Sequence, residues 1–69
     1  MVPSLGQAME DCADSIMAIK EALGEGDVPY AVQLWDELSA AEKMALWVAP
    51  TKGGPFTTEE RKTLKEAKK

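Results

Sequence analysis

Few of the 69 residues carry side chains able to do covalent or acid–base chemistry. The chain has one cysteine, Cys12, and no histidine. A nucleophilic thiol or hydroxyl needs a base beside it, and no imidazole exists to serve. Cys12 falls on an apolar stripe, where a free thiol behaves as a small buried hydrophobe. Asp36-Glu37 and Glu59-Glu60 are paired carboxylates. Side chains at i and i+1 do not share a helix face, so each pair reads as solvated surface. One cysteine without histidine is too small a set of soft ligands for structural zinc. Lys52-Gly53-Gly54 has the residue types of a phosphate cradle, but a P-loop needs GxxxxGK[ST] after a strand. A plain turn is the simpler reading, with Lys52, Gly53, Gly54, Arg61 and Lys62 as the candidate anion contacts. No catalytic residue, cofactor site or metal site is expected, and the chain reads as non-enzymatic.

The elements that must position these residues are all helical. Leu5, Met9, Cys12, Ile16, Ile19 and Leu23 alternate in steps of four and three. This is an a/d seam, which must lie against another helix. It predicts one long amphipathic helix over 5–23, opened by a Ser4/Gln7 capping box and stopped by Gly24. Its flanking positions Ala8, Ala13, Ser15, Lys20 and Ala22 are mostly small, which favours a close helix–helix approach. A short helical hairpin follows, over 29–38 and 40–49. Pro29 suits a first helical turn, Ser39 with Glu42 makes a second capping box, and Pro50 ends the second helix. The inner face of the first is Ala31, Leu34, Trp35 and Leu38. In the second, Ala41, Met44, Ala45 and Val48 share a face, with Leu46 nearly opposite. A helix apolar nearly all round is covered on two sides, and in so short a chain one cover is expected to be another molecule. Thr51 to Pro55 reads as a turn in which the paired glycines supply positive φ. Thr57 with Glu60 opens a charged helix over 58–67, whose lysine-rich end is expected to fray. Phe56 is expected to fold back onto the core.

Composition sets further limits. The chain is one small domain, 1–69, and a core of this size supplies only about 3–5 kcal/mol unless something staples it. A single cysteine excludes an internal disulfide, so a homodimer is the expected staple. The net charge of −4 conceals a division. Residues 1–49 hold nine acids against Lys20 and Lys43, a net −7, and residues 50–69 hold six bases against three glutamates, a net +3. An acidic body makes a poor general nucleic-acid binder. The start of the chain lacks a basic segment followed by a long apolar run, and no stretch approaches the roughly 20 apolar residues of a membrane span. With an unpaired cysteine, a cytoplasmic protein without membrane contact is expected. Tryptophan and tyrosine dominate binding energy at interfaces. The residues expected at a partner or dimer interface are Ile16, Ile19, Tyr30, Trp35, Leu46 and Trp47, with core packing as the simpler reading of both tryptophans.

The run Ala45-Leu46-Trp47-Val48-Ala49-Pro50-Thr51-Lys52-Gly53-Gly54-Pro55-Phe56-Thr57-Thr58-Glu59-Glu60-Arg61 resembles a segment of small bacteriophage and prophage proteins. It covers about a quarter of the chain. The resemblance carries over no functional residue. It implies a class of small, acidic, helical phage products that bind and disable a host protein, in transcription, quorum sensing, CRISPR or another defence. The leading expectation is thus a protein-interaction module with a host protein as partner. The alternative is a nucleic-acid-associated accessory protein for recombination or replication, acting through Lys52 and the basic 58–67 helix. A structural assembly subunit is a third class.

Overall fold

A computed structural model describes residues 3–68. Five α-helices and one 3-10 turn account for its regular structure, with no strand among the described residues. The helices are α1 (Leu5–Asp11), α2 (Ala13–Gly24), α3 (Val28–Asp36), α4 (Ala40–Leu46) and α5 (Thr58–Ala67), and the 3-10 turn is Pro50–Lys52.

The long helix expected over 5–23 is broken at Cys12, whose φ of −109° and ψ of 19° leave the helical region. The break has a packing cause. α1 leans on α4, whereas α2 packs on α3, and one straight rod would not meet both. The Cys12 thiol donates to Oε2 of Glu42 in α4 at 3.3 Å, which pins the corner. The apolar seam runs across the corner and stays inward. Cys12, Ile16 and Ile19 are buried, and Leu5, Met9 and Leu23 pack against the buried cluster. Ala8, Ala22, Ala31 and Ala45 are also buried, and their small side chains let the helices approach closely.

Local chemistry accounts for the helix ends. Ser4 Oγ accepts from the Gln7 amide at 3.2 Å, but the Gln7 side chain turns forward to Asp11 instead of back to Ser4. Half of the expected box therefore forms. Ser39 with Glu42 and Thr57 with Glu60 make complete capping boxes. Asp27 caps α3 by accepting from the Tyr30 amide, with Pro29 in the first turn. Gly24 ends α2 as a helical residue, and the left-handed position is Gly26, with φ of 80°.

The segment after α4 also differs from expectation. α4 ends at Leu46, three residues before the expected stop, and Trp47 is its C-cap. In the Gly53-Gly54 pair only Gly53 has positive φ, at 90°. Gly54 is needed for close approach, because a Cβ there would lie 1.8 Å from the Val48 carbonyl oxygen. The chain then returns through Phe56, which is buried, and α5 lies against α3 with Leu64 fully buried. α5 is thus docked. Its C-cap Lys68 pairs with Asp36, the last residue of α3, so that end is tied to the body. Lys69, the other lysine expected to fray, lies outside the described residues.

Candidate functional site

α4 has to choose which apolar side to bury. Ala45 and Leu46 face the core, and Met44 faces outward with 67% of its surface exposed. Met44 and Ala45, expected to share a face, therefore part, and Leu46 joins Ala45 inside. Trp35, 5% exposed, forms the floor beside Met44. Its indole packs on Trp47 with centroids 5.3 Å apart and planes at 53°, and on Phe56 edge-to-face at 5.7 Å. These offset geometries suit the quadrupoles of aromatic rings. Trp47 remains partly exposed.

Between α4 and α5 these side chains line an apolar trough of about 540 Å³, formed by Trp35, Met44, Trp47 and Leu64 and rimmed by Lys43, Lys65 and Lys68. A shallower trough continues past Trp47 to Thr58, Arg61 and Lys62, sharing Lys65. Five of the chain's eight cationic side chains line this surface, and no acidic side chain does. Asp36 stands beside it, paired with Lys68 and 3.8 Å from the Lys43 ammonium. The Lys68 hydrogen bond holds the Asp36 carboxyl below the usual carboxylate range, and the charges of Lys68 and Lys43 act in the same direction. The Arg61 guanidinium lies over the Trp47 ring at 4.9 Å, a cation–π contact. Its Nε is buried with no hydrogen-bond partner among the described residues.

The other candidate residues fall elsewhere. Ile16, Ile19, Trp35 and Leu46 are buried within the chain's own core. Their apolar surface is already covered, and this removes four of the six expected interface residues from a partner's reach. Tyr30, at 47% exposed, and Trp47 remain accessible. The expected anion contacts do not converge. The Lys52, Gly53 and Gly54 amides donate to the Ala49, Pro50 and Ala49 carbonyls respectively. A phosphate cradle needs free amides, and these three are spent within the turn. Arg61 and Lys62 belong to the trough instead.

Cys12 has no activating neighbour. Burial raises its pKa, and the hydrogen bond to Glu42 and the charges of Glu42 and Asp11 add to the rise, to about 11. A thiol that stays protonated at neutral pH is a poor nucleophile. Glu42 is held below its ordinary value, first by the Ser39 backbone amide and then by the Cys12 thiol. Among the described residues no three His, Cys, Asp or Glu side chains are gathered as a metal site, and no helix is long and apolar enough to cross a membrane.

Sequence patterning could not reveal the trough, since Trp35, Met44, Trp47 and Leu64 come from different elements. The available signal was Met44 and Lys43 on α4 together with the lysine spacing of α5. Comparison with protein-family models, with curated proteins and with solved structures gave no match to this chain.

Proposed function

We propose that this chain is a non-enzymatic protein-interaction module that docks its partner on the α4–α5 trough. The observation that supports the reading most is an exposed apolar floor bearing Met44 and Trp47, ringed by cations in an acidic protein. Exposed large hydrophobes gathered with an aromatic residue at a concave surface are the usual anatomy of a protein-binding hot spot. The resemblance of residues 45–61 to phage proteins makes a host protein the partner in this reading. The reading does not draw on self-association through Ile16 and Ile19, which are covered within one chain.

A nucleic-acid role has less support. Base stacking needs an open aromatic face, and the Trp47 ring is already engaged by Arg61 and Trp35.

Site-specific photo-crosslinking in host cells tests the proposal. A crosslinker at Met44 should yield a discrete protein adduct that disappears with Trp47→Ala. The same crosslinker at Glu21, which lines neither trough, should yield none. Absence of a discrete adduct at Met44 would reject the reading.

A further inference from the structure

We infer that the trough receives an acidic amphipathic helix, whose apolar side chains enter between Met44, Trp47 and Leu64 while its carboxylates pair with Lys43, Lys65 and Lys68. This rests on the docking role proposed above and specifies its occupant. Charge is the first argument. The body of the chain is acidic, yet the charged side chains that line the trough are all cationic, with Asp36 the acid beside them. Facing like charges across an interface costs free energy, whereas complementary potentials steer and orient the partner. A basic helix would set like charge against Lys65, for which no ion pair is found among the described residues, and against Lys43 and Lys68, which share the single carboxylate of Asp36.

Backbone hydrogen bonding is the second argument. Both walls of the trough are α-helices, whose amides and carbonyls bond within their own turns. No strand edge exists among the described residues to pair with an extended peptide. An occupant pressed onto an apolar floor must satisfy its own backbone groups. A helix does so and presents apolar side chains at i, i+3, i+4 and i+7, the helix-in-groove mode.

Asp36 supplies the third argument. Its carboxylate is already received by Lys68 and approached by Lys43, so these two ammonium groups can hold one carboxylate between them. Asp36 therefore occupies, from within the chain, the position a partner's carboxylate would take, and it competes with that carboxylate.

A second copy of this chain also carries an acidic helix face, with Asp14, Met17 and Glu21 exposed on α2. It is the weaker occupant. One methionine is a small anchor for this trough. Such a contact joins two unlike surfaces of the chain, and the net −4 carried by each whole copy opposes their approach.

Two synthetic helical peptides test the inference. They share leucines at i, i+3, i+4 and i+7 and differ only in flanking residues, all glutamate in one and all lysine in the other. Titration by fluorescence anisotropy should show the glutamate peptide binding at least about tenfold more tightly than the lysine peptide. That preference should shrink at high salt, as expected for exposed ion pairs. Joint Lys43→Glu and Lys65→Glu replacement should reverse the order, with circular dichroism verifying the fold and Lys43→Gln with Lys65→Gln as the milder pair. Asp36→Asn should tighten glutamate-peptide binding about threefold by releasing two lysines. Equal binding of both peptides would overturn the acidic occupant. So would displacement of the glutamate peptide by single-stranded oligothymidylate at equal concentration, which would favour nucleic acid. Concentration-dependent growth in sedimentation, abolished by Met44→Glu, would overturn it in favour of a second copy. If either peptide result fails while the Met44 crosslink in cells persists, only this inference falls. If both fail, the docking role falls with it.

Discussion

At Gly54 the Val48 carbonyl oxygen stands where a side chain would begin. At Gly53 a Cβ would meet only a leucine methyl group at 3.8 Å, but φ is 90°. The two glycines therefore respond differently to alanine. Gly53→Ala places a Cβ in the left-handed region and should cost about 1 kcal/mol. Gly54→Ala requires a backbone carbonyl to move, and it should cost clearly more than its neighbour and loosen the Phe56 return. Urea denaturation of the two variants measures the difference. Equal costs would mean that the 50–55 turn is not closed against Val48. Cys12 shows the same dependence on surroundings. Its burial and its bond to Glu42 follow from a contact across thirty positions of chain, and they disfavour its thiolate form.

At the scale of elements, α5 is the piece held by the fewest apolar side chains, with Leu64 its one buried residue. Its attachment relies on charge at both ends. Lys20 Nζ donates to Glu60 Oε1 at 2.6 Å and to the Pro55 carbonyl at 2.9 Å, and lies 5.9 Å from the Phe56 ring centroid. Lys68 pairs with Asp36 at the other end. Burial pushes the Glu60 pKa up, but the Lys20 bond and the Thr57 amide and hydroxyl outweigh it and leave the pKa lowered. A depressed folded-state pKa gives stability that is complete above the unfolded value, near 4.3 for glutamate. That stability is lost as pH falls through the lower folded value. Asp36 and Glu42, also depressed, act in the same direction. Thermal stability should therefore fall with acidification below about pH 4. Lys20→Met should cost about 0.5–1 kcal/mol at neutral pH, since the pair is partly exposed, and should make the acid slope shallower. An unchanged slope would show that Lys20 does not hold Glu60 in solution.

At the scale of the molecule, α4 divides its apolar residues between inside and outside. Leu46 has no exposed surface and Met44 is largely exposed, two positions apart on one helix. Leu46→Glu buries an unpaired carboxylate, a cost of about 3–5 kcal/mol. That matches what a chain of this size can supply, so the variant should be unfolded by circular dichroism. Met44→Glu should keep its helicity and its melting temperature within a few degrees. A folded Leu46→Glu protein would require a different packing of α4. Retained structure in one variant and lost structure in the other is also what separates the trough from the core.

The chain's own pattern determined an all-helical protein, the capping boxes at Ser39/Glu42 and Thr57/Glu60, the inward seam from Leu5 to Leu23 and the division of charge. These are local properties, because a cap bonds three residues away and a seam repeats every turn. Three matters were left to tertiary packing. The break at Cys12 depends on α1 and α2 meeting different partners. The inward choice of Leu46 over Met44 depends on which side of α4 the core occupies. The trough exists only because α3, α4 and α5 converge on Trp35 and Trp47, a convergence of residues far apart in the chain that no periodicity within one element encodes.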